Sequence, residues 1–351
     1  MRSFMLNKKQ RVGFFSIVLA LLLTVSATAK SGSKSRKADV ETTEQAKAVL
    51  WRNPEDIRSR SLLYGIGGES HAPHTTYTFE KEDMEGTSPK FTVRDENGVR
   101  WKVKMGHEAR PETVASRFIW AVGYSTNEDY FLPELHVEGM PEHLHRGRQF
   151  IGPQGTAHNV RLKRYLDGEK KVGIWKWGDN PFSSTKELNG LRVMMALINN
   201  WDSKDINNAI YFEKHSDGAT GPENIYMASD LGASFGSTGV TWKRAGADGD
   251  LHIYSASKFV LKVTSAYVDF ATPARPLLLD VFYPPDFFMR VHMRWIGRRI
   301  PRSDVHWIAQ LLGQLSPEQI RDAFRAAGYS PDEVEGFAKV VEKRIAALGQ
   351  I

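Results

Sequence analysis

Asp202 is followed five places on by Asn207, and after a strand-like run through Tyr211 the chain reaches Asp230-Leu231-Gly232. These acids and amides end in hard oxygens, the ligand type that suits Mg2+. The chemistry such a set supports is phosphoryl transfer. It asks for a metal ion held against phosphates, cations along them, and an acid that orients or deprotonates the acceptor. In that arrangement Asp202 is the acid aimed at the acceptor, Asn207 is a metal ligand through its amide oxygen, and Asp230 is the carboxylate shared by metal and nucleotide. Gly232 permits the tight turn behind Asp230, and Lys204 lies beside the transferring group. Asp205 with Asn208 is a second acid and amide pair, three apart instead of five, so Asp202 and Asn207 are preferred. The plain alternative is an Asn- and Asp-rich turn between a helix and a strand. An Asp-x-Gly in the matching place counts against it.

A nucleotide also needs a cation. Lys102 and Lys104 alternate along one strand-like run, and Lys104, after Trp101-Lys102-Val103, is the preferred one. Its ion-pair partner is sought on the next helix, in Glu112 or the nearer Glu108. The helix dipole alone also favours Glu112 in a first turn. Gly86, Thr87 and Ser88 are small enough for backbone N–H groups to approach phosphates, and equally fit an ordinary Gly-Pro turn. Tyr64-Gly65-Ile66-Gly67-Gly68 has no strand before it and reads as a loop. His136, His143 and His145 lack a fixed third ligand and read as a polar loop. Trp175 and Trp177 either stack on a base or pack between lobes.

Trp201-Asp202-Ser203-Lys204-Asp205-Ile206-Asn207 resembles the catalytic loop of protein kinases, Arg-Asp-x-Lys-x-x-Asn, and Ser229-Asp230-Leu231-Gly232 resembles their Asp-Phe-Gly metal motif with Leu for Phe. From residue 75 onward the chain is more similar to the divergent kinase-like group (HipA-like proteins, lipid kinases, secreted kinases) than to eukaryotic protein kinases. A full Gly-rich loop and an Ala-Pro-Glu motif are missing. The resemblance implies an α+β, two-lobed kinase-like fold with a small antiparallel β lobe plus one helix and a larger, mostly helical lobe. It also implies ATP and Mg2+ as cofactors and an acceptor that is a protein, sugar or lipid. Trp201 stands where Arg is expected, which removes the basic pocket that reads a phosphorylated activation loop.

The elements that must hold these residues follow from periodicity. Alternation over residues 76–82, 90–94 and 99–105, with Asn97-Gly98 as a hairpin turn, predicts a three-stranded meander. Pro111 opens a helix whose apolar residues repeat to Gly123. Residues 160–166 serve as the strand into a hinge, 167–181 as a loop, and 186–199 as a buried helix that delivers the chain to Asp202. Residues 44–51 and 53–56 suggest short helices. From about residue 257 the pattern is helical, with Ser316-Pro317 and Ser330-Pro331 as caps and first turns and Gly328 as a stop. The expected division is 1–29 signal, 30–74 linker and extension, 75–166 small lobe, and 167–351 helical lobe.

Arg2, Lys8, Lys9 and Arg11 precede an apolar run over residues 12–25, and Ala27-Thr28-Ala29 fits a small-x-small cleavage site. The expectation is export to the periplasm or the extracellular space, with a membrane contact only if the segment stays uncleaved as an anchor. Of the formal charge of +6, that segment supplies four, leaving +2 and no support for nucleic-acid binding. With no cysteine, the fold has neither disulfide nor thiol chemistry. Two other functions fit the same motifs: a kinase-shaped binding module without transfer, and a transferase that moves AMP or uses another donor.

Overall fold

The chain enters the described region as a short strand, β1 (Lys47–Val49), and not as the helix expected over residues 44–51. The structure is a computed structural model that describes residues 46–73, 76–86, 88–166, 168–214, 221–236, 248–271 and 293–351. Residues 1–45, which include the segment expected to be a signal, and Thr87 lie outside these residues. β1 is a strand because a partner is waiting: Lys47, Ala48 and Val49 pair in parallel with Glu223, Asn224 and Ile225. Val49 then joins a small buried cluster with Ala209, Tyr211, Ile225 and Met227. Pairing and burial override local helical preference. Residues 53–56 likewise are irregular chain with a bend at Glu55 and not a helix.

The small lobe is a five-stranded antiparallel sheet in the order β2-β3-β4-β6-β5, built from β2 (Tyr77–Asp83), β3 (Lys90–Asp95), β4 (Arg100–Met105), β5 (Asp129–His136) and β6 (Thr156–Arg164). The β3–β4 hairpin turns at Gly98, φ +79°, with the Asp95 carboxylate accepting from the Asn97 and Val99 N–H groups. Phe91, Val93, Trp101, Val103, Val160 and Leu162 form one buried face. β5 lacks clean alternation and contains Pro133, which an edge strand tolerates because one side of its backbone needs no partner. That pattern hid it from sequence reading.

One helix, α1 (Ala109–Ala121), lies between this sheet and the rest. Val114, Ala115, Phe118 and Ile119 belong to the core of the large lobe. Beyond it come β7 (Lys170–Gly173), α2 (Lys186–Leu197), β8 (Asn208–Glu213), β9 (Glu223–Ala228) and α3 (Leu251–Ala256). Then follow β10 (Val260–Val263), β11 (Tyr267–Phe270), β12 (Ile300–Pro301), α4 (Arg302–Leu312), α5 (Pro317–Arg325) and α6 (Pro331–Gly349). Two expectations are corrected here. The loop over 167–181 contains β7, which pairs with β8. The stretch after residue 257 contains the sheet β10-β11-β12 besides its helices.

Ser316 and Ser330 both form complete capping boxes, with Gln319 and Glu333 reaching back. The helices meet on an aromatic cluster in which Phe324 stacks on Phe337 at 4.9 Å and Phe235 fits edge-on between Phe324 and Tyr254. Trp175 and Trp177 are buried against each other, ring centroids 4.8 Å apart, so they pack the core and do not line a base-stacking surface. This is the two-lobed α+β architecture expected above, a small antiparallel sheet with one helix and a larger lobe that holds the other α-helices. Among the described residues no helix is long and apolar enough to cross a membrane.

Candidate active site

The sheet register decides the first half of the site. β4 and β6 place Lys104 directly opposite Arg161. Like charges across a ladder repel, and both side chains are buried, with Lys104 only 2 % exposed. What makes the pair tolerable is Glu112, which points back from the first turn of α1. One Glu112 oxygen is 3.0 Å from Lys104 Nζ, and the other accepts from Arg161 Nη2 at 2.7 Å. Behind it Asp129 lies 3.3 Å from Arg161 Nη1. Burial pushes the Asp129 carboxyl up to about 6 against the pull of Arg161. Lys102, two places before Lys104, pairs instead with Asp83 at 2.8 Å.

Lys104 has two further carboxylates. Glu108 lies at 2.5 Å and Asp230 at 3.1 Å. Burial works to lower the lysine's proton affinity, but Glu112, Asp230 and Glu108 outweigh it and hold the ammonium well above its ordinary value. About half of the Asp230 side chain (49 %) meets solvent, although protein atoms crowd it on the other side. Crowding there favours the neutral acid. The charges of Lys104 and Arg161 win and keep the carboxyl below its ordinary range, so it is ionised.

The second half of the site is two loops bound edge to edge. The Asn207 carbonyl accepts from the N–H groups of both Ser229 and Asp230, each at 3.0 Å. The Asn207 amide donates to the Asp202 carbonyl at 2.6 Å and to its carboxylate at 3.2 Å. That leaves the Asn207 amide oxygen as the hard donor of this side chain. Lys204 closes on Asp202 at 2.9 Å. Upstream, Asn200 accepts from Asp202 N–H and donates to Ser234, and Asn199, at φ +54°, donates to the Gly236 carbonyl. Asp205, the weaker candidate acid, is turned away to accept the Trp177 N–H. The structure thus brings Lys104, Glu112, Asp230, Asn207, Asp202 and Lys204 into one connected cluster.

The turn between β2 and β3 lies over this cluster. Ser88 donates to Glu108 at 3.0 Å, and a Cβ on Gly232 would meet the same Glu108 at 2.7 Å. Gly86 has φ +64°, and Arg146 grips the turn by donating to the carbonyls of Asp83 and Gly86. The Tyr64–Gly68 loop is elsewhere. Gly65 and Gly67 allow it to touch Arg117, Tyr130 and Glu128, a packing role. His145 is bonded to Glu82, and no group of metal-binding side chains occurs around the histidines among the described residues.

Two residues escaped sequence reading. Arg161 lies in the strand expected over residues 160–166, where only the register with β4 shows that it shares a face with Lys104. Asp248 gave no sequence signal. It accepts from the Trp201 indole at 2.8 Å and lies in the field of Glu108, Lys104 and Asp202. Burial pushes it up to about 7, against the Trp201 hydrogen bond.

No protein-family model and no curated protein matches the chain. Among solved structures it is similar to the proinflammatory kinase CtkA of Helicobacter pylori, with TM-score 0.40 and 9 % identity over 79 % of this chain and 97 % of that one. It is similar also to the Golgi casein kinase, at 0.36 and 8 % over 93 % and 91 %. A form of the Golgi casein kinase with Mn and ADP bound follows, at 0.34 and 10 % over 79 % and 73 %. These likenesses are distant, and it is the residues of the cleft that bear on what the chain does.

Proposed function

We propose that the chain is a phosphotransferase that uses Mg-ATP and acts outside the cytoplasm on an unidentified acceptor. The observation that carries this is the position of Lys104, held between Glu112 of α1 and Asp230 of the loop whose backbone is tied to Asn207. A buried cation, an ionised carboxylate and an amide oxygen then converge at the mouth between lobes, the set that phosphoryl transfer needs. Lys104 neutralises phosphate oxygens, with Glu112 and Arg161 fixing its direction. Asp230 and Asn207 would hold Mg2+, and their hard oxygens fit it. When bound, the ion neutralises charge on the phosphates. Asp202 orients an acceptor hydroxyl and takes its proton as the oxygen attacks the terminal phosphorus and ADP leaves. Lys204, now on Asp202, offsets charge on the moving group. Export is supported by the basic, then apolar, then small-residue order of the first 29 residues.

A second reading, a kinase-shaped binding module without transfer, is favoured by one contact: Glu108 lies on Lys104 and adds negative charge next to where phosphates would sit. One experiment separates the two. Mg-ATP at a hundredfold excess over its dissociation constant should stabilise the full chain by about 2.7 kcal/mol, and Asp230→Ala should remove that gain. Asp202→Asn should keep the gain while labelled phosphate transfer falls by roughly 10²–10⁴. A stabilised protein without transfer to any acceptor favours the binding module; no stabilisation ends the nucleotide reading.

A further inference from the structure

Lys90, the first residue of β3, stands directly opposite Lys104 in the sheet register, as Arg161 does on the other side. Three cations therefore share one rung and one face across adjacent strands, and like charges placed so repel. Two of the three are compensated. Lys104 has Glu108, Glu112 and Asp230, and Arg161 has Glu112 and Asp129. The acid that faces Lys90 on β2, Asp83, reaches across to Lys102 instead, at 2.8 Å. Among the described residues no ion pair or hydrogen bond holds the Lys90 ammonium.

This cation is on the cleft side of the sheet. Opposition in the ladder puts it on the face from which Lys104 reaches Asp230. Its Nζ lies beside the turn between β2 and β3, where a Cβ added to Gly86 would come within 3.4 Å of it. The side chain is half-buried, but the ammonium keeps an open side. Burial, Lys102 and Lys104 pull its proton affinity below the ordinary value, and the fields of Asp83 and Asp230 offset them only in part. Holding a lysine in a rung of like charges costs stability, and the fold places no anion in contact with it.

We propose that Lys90 is a second phosphate-binding cation, which together with Lys104 holds the phosphoryl chain of the nucleotide beside Gly86. This rests on the phosphotransferase reading, which gives Lys90 no role of its own. A phosphate oxygen is the acceptor that fits, because a bond from an ammonium to an anionic oxygen is roughly twice as strong as a neutral one.

The test is thermal unfolding of the full chain titrated with Mg-ATP and with magnesium tripolyphosphate, which has phosphates and no base. Lys90→Gln weakens binding of both by about tenfold or more, the scale of one lost charge-assisted hydrogen bond. Lys90→Arg keeps the charge and most of the affinity. Without ligand, Lys90→Gln unfolds at the wild-type Tm or above it, because repulsion in the rung is relieved. A packing role would do the reverse, lowering that Tm and leaving affinity unchanged, and would overturn the proposal. Asp230→Ala run alongside separates the two readings. If Mg-ATP stabilises wild type and not Asp230→Ala, while Lys90→Gln binds as wild type does, the Lys90 proposal alone falls. If Mg-ATP does not stabilise wild type, the phosphotransferase reading falls and takes the proposal with it.

Discussion

Asp248 shows how a single side chain enters the site by a route that local sequence does not encode. Asp202 with Asn207, and Asp230 with Gly232, were legible because their relation is one of spacing within a few residues. Arg161 became a partner of Lys104 only through strand register, and Asp248 only because the chain returns from far away to meet Trp201. Its carboxyl titrates at about 7 when folded and near 3.8 when free. A raised folded pKa means that the native state holds the proton more tightly. The penalty is absent below the free value, grows as pH rises between the two, and is complete above about 7. Asp248→Asn keeps an oxygen for the indole and removes the charge. In urea unfolding across pH, the variant should exceed wild type in stability most clearly at about pH 8, with the difference vanishing towards about pH 4.

At the scale of elements, caps were readable and partners were not. Ser316-Pro317 and Ser330-Pro331 announce α5 and α6 because a cap is settled within four residues. β1 was misread as helix because its strand state depends on β9, some 175 residues later. β5 was missed because an edge strand with a proline needs no strict alternation. The caps are also where an element can be tested alone. Ser330→Ala leaves the Glu333 N–H without its side-chain acceptor and should cost about 0.5–2 kcal/mol in chemical denaturation. A loss below that range would mean that packing of Phe337 and Val341, not the cap, sets the start of α6.

At the scale of the molecule, the segment before the small lobe joins parts that the fold class alone would leave independent. β1 completes a sheet of the large lobe, the Trp51 indole donates to the Val122 carbonyl at the end of α1, and Tyr130 of β5 donates to Gly68. Gln319 of α5 donates to the carbonyls of Ile57 and Arg60 at 2.8 and 2.9 Å. Gln319→Ala removes the side-chain donor from both carbonyls, leaving Ile57 with only the Arg60 N–H, and should cost about 1–3 kcal/mol. Faster hydrogen exchange in residues 57–60 would accompany the loss if these bonds hold the segment down, and unchanged exchange there would show that they do not.

The carbonyl of Asn207, shared by two amides, ties the acid-bearing loop to the carboxylate-bearing loop before any ligand arrives. Neither loop can lift away without breaking bonds to the other, so the ordering entropy of this corner belongs to folding and not to binding. Ser229 and Asp230 amide protons should therefore become solvent-accessible together, in one opening event that also frees Asn207.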